Sequence, residues 1–460
     1  MSDPTITDNR PVHFVGIAGA GMSALAELYL RRGYVVTGCD TTTTASADLE
    51  RLGVHVLHGH DASHVAGARE VVVTSAVPKN HPELQRAREL GIPVIRRAEA
   101  LGKAVSGGQL VGVAGTHGKT TTTVMTTEAL AAAGLEPTGV AGGRVGSWNG
   151  NLKGGADRIF VVEADEYDRS FHALSPTVAV VTNMEADHLD IYPGGIEEIR
   201  AAFAQFIAGA ETIVLCADDR GATTLPTPST AEVIRYGATS PDARLVAKGI
   251  EPLNGGSQFH VLYDGKQLGN VTLRVPGMHN VRNALAAVAS GIALGVEFDA
   301  LKAGLETFSG VERRFQRIGD VGGVSIIDDY AHHPTEIRAT LEAARLAFPG
   351  RRIVAAFQPH LYTRTRDFHH EFASALALAD AAFLCDLYPA REKPIEGVSS
   401  EMIADPMREM AKPPVWQGPR DELAQALAEF VQPDDVVLTI GAGDITRTGP
   451  ELRDMLEKRV

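Results

Sequence analysis

VGVAGTHGKTTTT, residues Val111 to Thr123, runs from an apolar strand into a glycine loop and on into a helix-forming segment. A strand, a glycine loop and a helix in that order make a phosphate cradle. Glycines at Gly115 and Gly118 let backbone N–H groups converge on phosphate oxygens, Lys119 reaches the terminal phosphates, and a threonine hydroxyl joins a Mg²⁺ shell. The strict Walker A spacing wants glycine five positions before Gly118; Val113 stands there, so this is a shortened variant. The pattern predicts a helix from Thr120 to Ala133 and binding of a nucleoside triphosphate.

At 460 residues the chain exceeds one ordinary core, and about 150 residues per domain suggests three. A net charge of −14 argues against a general nucleic-acid or membrane-surface binder. Cys39, Cys216 and Cys385 are far apart and in no metal-ligand spacing, which fits a reducing compartment without disulfides. Residues 1–11 lack the basic and apolar regions of a leader, and no apolar run reaches the ~18 residues of a membrane span, so a cytoplasmic protein without membrane insertion is expected. Runs of threonine at 41–44 and 120–123 are too short to count as low complexity.

The first segment, residues 1–104, opens as a Rossmann-type unit: strand His13 to Ile17, glycines Gly16, Gly19 and Gly21, a helix from Met22 to Arg32, and a second strand ending at Asp40. Further strands are expected at Val71 to Ser75 and Pro93 to Ile95. An acid after the second strand suits NAD, but a diphosphate at a helix N-terminus is all the glycines require, and a UDP-sugar carries one too. Gly102 to Gly108 reads as a linker. The second segment, 105–311, carries the phosphate loop and two buried strands that end in acids, Glu163-Ala164-Asp165-Glu166 and Glu185-Ala186-Asp187-His188. A β-rich stretch near Phe259 to Val275 and a helix from Asn280 to Leu294 follow. Past a second linker, Phe308 to Val311, strands at Val324, Ile353, Ala381 and Val436 alternate with helices through 312–460. The expected fold class is α/β in three domains: Rossmann-like, a phosphate-loop ATPase with a mostly parallel sheet, and Rossmann-like again.

Mg²⁺ prefers oxygens, which favours Thr120 and Glu163; His188 either ligates it or orients a water or a carboxylate. Asp165, Glu166 and Asp187 read equally as helix caps or solvated acids. In the third segment Glu312-Arg313-Arg314-Phe315, Asp328 to Pro334 and Gln358 to Arg366 each place charged groups in a loop. Arginines there suit a phosphate or a carboxylate. His332 and His333 could form a metal pair by composition, but adjacent side chains diverge, which favours a structural loop role.

Taken together these motifs resemble the Mur ligase family of bacterial cell-wall synthesis, and within it the branch that adds L-alanine to UDP-N-acetylmuramate. The similarity covers nearly the whole chain and rests on Gly16 to Ser23, Thr74 to Val77, Gly115 to Thr121, Glu163 to Glu166, Thr182 to Asp190, His279-Asn280 with Asn283, Arg313 to Phe315 and Asp328 to Pro334. The resemblance implies three substrates, ATP, UDP-N-acetylmuramate and L-alanine, with Mg²⁺ as cofactor, in a monomer or weak homodimer. It implies ATP contacts from Gly115, Thr116, His117, Gly118, Lys119, Thr120, Thr121, Asn280 and Asn283, with Arg314 and Asp329 contributed by a C-terminal domain that closes over the nucleotide. By the same resemblance Gly19, Ala20, Gly21, Met22, Ser23, Asp40, Ser75 and Ala76 bind the UDP-sugar, and Tyr330, His360 and Arg364 the amino acid. One Mg²⁺ falls to Thr120 and Glu163, and a second to His188; Lys119, His188, Arg314 and Asp329 form the catalytic set.

Two positions depart from the family. Relatives that add later residues carry a carbamylated lysine where Phe203 stands, and some alanine-adding members have arginine where Leu361 stands. A recycling ligase that joins a preformed peptide to the same sugar is the nearest alternative, and Gly19-Ala20-Gly21-Met22-Ser23 fits the biosynthetic branch better. A folate-polyglutamate ligase shares the central logic without this N-terminal domain. An NAD-dependent oxidoreductase would leave Lys119 unexplained, and a regulatory nucleotide-binding module would not need Lys119 for turnover.

Overall fold

A computed structural model describes residues 8–41, 47–189, 191–390 and 392–459. Parts of three features named above, residues 1–7, Thr42 to Thr44 and Asp190, lie outside them. Among the described residues no helix is long and apolar enough to cross a membrane.

The N-terminal sheet has five parallel strands, β1 (Val12–Val15), β2 (Val36–Asp40), β3 (His55–His58), β4 (Glu70–Val73) and β5 (Val94–Arg96), in the order β3-β2-β1-β4-β5. The order reverses beside β1, and the glycine loop after β1 enters the helix Ala20–Arg31 there. Ligands of open parallel sheets bind at such reversals. Strand β3 has no counterpart in the sequence expectations because it is an edge strand: both terminal histidines are exposed and no apolar run marks it.

The second sheet contains β6 (Gln109–Ala114), β7 (Thr138–Val145), β8 (Gly150–Lys153), β9 (Ile159–Glu163), β10 (Val178–Val181), β11 (Thr212–Cys216), β12 (Glu232–Gly237), β13 (Leu245–Leu253), β14 (Gly256–Tyr263) and β15 (Lys266–Leu273). Their order is β15-β14-β13-β12-β11-β10-β6-β9-β7-β8. Strand β6 lies parallel between β9 and β10, and every residue from Leu110 to Ala114 is buried, as a sheet covered on both faces requires. The phosphate loop follows β6 directly, so the ends of β9 and β10 flank it.

The C-terminal sheet, β16 (Gln316–Val321), β17 (Val324–Asp329), β18 (Arg352–Phe357), β19 (Ala381–Cys385), β20 (Trp416–Gly418) and β21 (Asp435–Ile440), runs in the order β16-β17-β21-β18-β19-β20, parallel except for β16. Alternate residues of β18 feed two cores. Ile353, Ala355 and Phe357 pack with Phe372 and Leu376 on one face, Val354 and Ala356 with Leu423 and Leu427 on the other.

Compactness divides the chain into two units: Met1–Lys248 with His260–Val271 and Arg282–Thr307, and Gly249–Phe259 with Thr272–Val281 and Phe308–Val460. The expected boundary at 104/105 therefore falls inside the first unit. The expected linker at Gly102 to Gly108 is corrected in part, because the helix Arg97–Val105 runs through Gly102. A β-carbon on Gly102 would collide with the Ala173 carbonyl oxygen, so this glycine permits close packing. Gly102→Val should destabilise the first unit by roughly 1–3 kcal/mol, the usual cost of overpacking. Denaturant unfolding followed by Trp148 fluorescence checks this; an unchanged midpoint would restore the flexible-linker reading.

Candidate active site

The loop after β6 takes its shape from two glycines at positive φ, +142° at Gly115 and +81° at Gly118. At Gly115 a β-carbon would overlap Thr182 Oγ1, and at Gly118 it would sit 2.8 Å from Asn283 Oδ1. The residue types are dictated twice over, by backbone conformation and by space. The Thr116-His117 insert is clamped by the end of β10. His117 N–H donates to Asn183 Oδ1 (2.8 Å), Asn183 Nδ2 and Thr182 Oγ1 donate to the His117 carbonyl (2.9 and 2.6 Å), and Thr116 Oγ1 accepts from the Glu185 N–H (2.9 Å).

Gly118 caps the helix Lys119–Ala132, and Thr120 and Thr121 are buried in its first turn. Lys119 Nζ donates to the carbonyls of Gly115 (2.7 Å) and Thr116 (3.3 Å) and to both oxygens of Glu166 (2.9 and 2.8 Å). Burial opposes the ammonium charge, yet the carboxylates of Glu166 and Asp165 outweigh it and hold the Lys119 pKa above its ordinary value. Burial pushes the Glu166 carboxyl up to about 7, with Lys119 opposing. Glu163, at the end of β9, accepts from Thr120 Oγ1 (3.0 Å) and from the Gly142 N–H (2.6 Å). His188 has a left-handed backbone, φ +54°, and its Nε2 faces Glu166 at 4.0 Å and Asp187 at 3.8 Å. Thus Thr120 and Glu163 form one oxygen-donor pair, while His188 belongs with Glu166 across the same loop.

Asn283 reaches the phosphate-loop helix, its Oδ1 accepting from Thr122 Oγ1 (3.1 Å). Asn280, one turn earlier on Met278–Ala293, donates from Nδ2 to the Pro276 carbonyl (2.7 Å). Phe203, fully buried, packs edge-on against Phe171 with ring centroids 5.2 Å apart, so this position serves the core.

In the N-terminal module Gly16 has φ +80°, Gly19 caps the helix Ala20–Arg31 without a side-chain bond, and Asp40 Oδ2 accepts from the Ala18 N–H (3.0 Å). Asp40 therefore pins the glycine loop. Met22 is buried, and Ser23 Oγ donates to the Ala20 carbonyl (3.0 Å). Ser75 and Ala76 follow β4 in a turn in which Ala76 N–H donates to Thr74 Oγ1 (3.2 Å). Arg97 was not foreseen: its Nη1 lies 3.0 Å from where a Gly21 β-carbon would be, over the first turn of that helix. Arg97 also lines a small cavity with Glu163, Asp165, Ser170 and Phe171. A basic residue just past a strand end was the available signal. For Glu166 and Asn183 the signal was likewise a polar residue at the end of a buried strand.

In the second unit Asp329 is buried at the end of β17 and accepts from the N–H groups of Phe315 and Ala331, each at 2.8 Å. Burial pushes its carboxyl up to about 6, opposed by Arg314 and these two bonds. The guanidiniums of Arg313 and Arg314 lie over the Tyr330 ring, 4.7 and 5.0 Å from its centre. His332 N–H and His333 N–H both donate to Glu336 Oε2, 2.9 and 3.2 Å, and His333 caps the helix Pro334–Ala347. His360 stacks on Tyr388 at 5.8 Å and edge-on to His332 at 6.0 Å, and Arg364 is buried near the start of the helix Tyr362–Leu376. Leu361 holds φ +72° with its N–H on the Tyr388 carbonyl (3.0 Å), a conformation uncommon for a branched side chain.

Known proteins share this layout. Three domain descriptions match in succession: the Mur ligase family catalytic domain over 11–108, the Mur ligase middle domain over 113–291, and the Mur ligase glutamate ligase domain over 313–443. A UDP-N-acetylmuramate–L-alanine ligase of Salinibacter ruber is 44% identical over 462 aligned positions, 99% of this chain and 97% of that protein. The chain belongs to the Mur ligase family. The crystal structure of the UDP-N-acetylmuramate–alanine ligase of Thermotoga maritima superposes with a TM-score of 0.85 at 30% identity, covering 98% of this chain and all of that one. A murein peptide ligase of Psychrobacter arcticus shares the Mur ligase fold with a TM-score of 0.72 at 24% identity, over 98% and 99% of the two chains.

The buried Asp329 yields a pH prediction for this Mur ligase. Its folded pKa is raised, so the stability it confers is complete below the unfolded value near 3.8 and is lost as pH rises through about 6. Relative to Asp329→Asn, the native C-terminal unit should lose roughly 1–2 kcal/mol between pH 5 and 7. Urea unfolding in a Trp148→Phe background, where Trp416 reports, measures this; a pH-independent difference would show that the carboxyl is not perturbed.

Proposed function

We propose that this chain joins L-alanine to the lactyl carboxylate of UDP-N-acetylmuramate, consuming ATP and releasing ADP and phosphate. The observation that carries the reading is the full-length kinship to UDP-N-acetylmuramate–L-alanine ligases, on a chain that holds a glycine loop at a helix N-terminus and a phosphate loop with Lys119, Thr120 and Glu163 in place. A UDP-sugar held at Gly19 to Ser23 would present its carboxylate toward the γ-phosphate of ATP on the phosphate loop.

The chemistry follows from charge. A carboxylate is a poor electrophile toward an amine, so its oxygen first attacks the γ-phosphorus and ADP departs, leaving an acyl phosphate. The alanine amine then attacks the carbonyl carbon, the C–O bond breaks, and phosphate leaves. Lys119, charged and buried, exchanges Glu166 for phosphate oxygens as the nucleotide enters and stabilises charge on the transferring group. Thr120 and Glu163 offer hard oxygens at 3.0 Å, a donor set that fits Mg²⁺, and His188 and Glu166 would serve a second ion. Bound Mg²⁺ would supply neutralisation of the phosphate charge. Asn280 and Asn283 serve the nucleotide, with Arg314 and Asp329 from the second unit; Tyr330, His360 and Arg364 serve the alanine. In this reading the domains are 1–104 for the UDP-sugar, 105–311 for ATP and 312–460 for the amino acid, and the enzyme works in the cytoplasm.

ADP release should require both UDP-N-acetylmuramate and L-alanine, with the alanyl product identified by mass; no release with any amino acid would sink the proposal, and preference for a tripeptide would select the recycling reaction. Lys119→Ala should lower turnover about 10³-fold, the range expected when one preorganised charge is removed from the transferring group. Retained turnover would leave only a nucleotide-binding role.

A further inference from the structure

We infer that the N-terminal module holds a transition-metal site of the Zn²⁺ type, built from His13, Cys39 and Glu83. No sequence spacing announces it, because the ligands come from β1, β2 and the helix Pro82–Glu89. Only the fold brings them together.

His13, Cys39 and Glu83 are fully buried, and one ligand atom from each lies within 4.8 Å of the others. Cys39 Sγ is 3.1 and 3.2 Å from the Glu83 oxygens, and His13 Nε2 is 3.7 Å from Glu83 Oε2. His60 Nδ1 stands 3.2 Å from Cys39 Sγ and 3.6 Å from Glu83 Oε1. Ligands about 2.0–2.3 Å from a tetrahedral ion are separated by such distances, and nitrogen, sulfur and oxygen are the donors Zn²⁺ takes.

A hydrogen-bond network alone does not account for His13. Its Nδ1 is engaged with Thr37 Oγ1 at 2.9 Å, while its buried Nε2 faces Glu83 Oε2 at 3.7 Å, beyond hydrogen-bond distance. In the tautomer whose Nδ1–H donates to the Thr37 hydroxyl, Nε2 keeps its lone pair, the arrangement in which metal-binding histidines are oriented. On binding, the S–H bond of Cys39 breaks, its proton leaves to solvent and the thiolate sulfur bonds the ion.

The site has a structural consequence. The Cys39 carbonyl accepts from the N–H groups of Gly16 (2.9 Å) and Ile17 (3.1 Å), so an ion anchoring Cys39 would also anchor the glycine loop. The inference stands apart from the ligase reading, since neither the ligands nor the test involves turnover.

The full chain, stripped with chelator and reloaded, is the test. After gel filtration, Zn²⁺ should remain at about one ion per chain in the native protein and fall at least about tenfold in Cys39→Ser, which keeps a hydroxyl toward Glu83 but removes the thiolate. Co²⁺ should give a sulfur-to-cobalt charge-transfer band in the native protein, a readout that needs no variant to fold, and His13→Gln should weaken it. Zn²⁺ below about a tenth of an ion per native chain, no charge-transfer band, or a band that survives Cys39→Ser would each overturn the site.

Discussion

A buried ammonium organises the first unit. Lys119 is out of water, so its charge must be met by neighbours, and the structure meets it with the two loop carbonyls and both oxygens of Glu166. A buried pair of this kind is not a source of net stability, because desolvation offsets much of the attraction. Its value lies in position: an unpaired Lys119 would be costly, so β9, β10 and the loop must all converge on it. Glu166 lies just past β9, and Thr182 and Asn183, which clamp the loop, lie just past β10.

The same constraint links the two ends of the first unit. Glu163 serves Thr120 on one side and lines the Arg97 cleft on the other. Gly102 lets the helix that carries Arg97 press against Ala173, near the acids that follow β9.

Much of this was legible in the sequence. The phosphate loop, the glycine turn before Ala20 and the acid-ended strands follow from local rules that hold wherever they occur, and the mostly parallel three-sheet plan follows from alternating strands and helices. The pairing of Thr120 with Glu163 was anticipated. What was hidden depends on tertiary neighbours. Glu166 looks like any acid after a strand until burial and Lys119 single it out, and Arg97 gains meaning only when Gly21 lies beneath it. Gly102 resembled a linker residue because a glycine near Ser106 and Gly107 marks loops by composition, whereas its cause is the Ala173 carbonyl. Strand β3 lacked an apolar run because it is an edge, and the meeting of Cys39 with His13 and Glu83 has no trace in spacing.

The central claim is that the phosphate loop activates a carboxylate by phosphoryl transfer before the amide forms. Oxygen isotope tracing tests it most directly. With ¹⁸O in the lactyl carboxylate of UDP-N-acetylmuramate, the bridging oxygen of the acyl phosphate leaves with phosphorus, so mass analysis of the released phosphate should show one heavy oxygen from each doubly labelled carboxylate. Unlabelled phosphate accompanying amide formation would contradict the account.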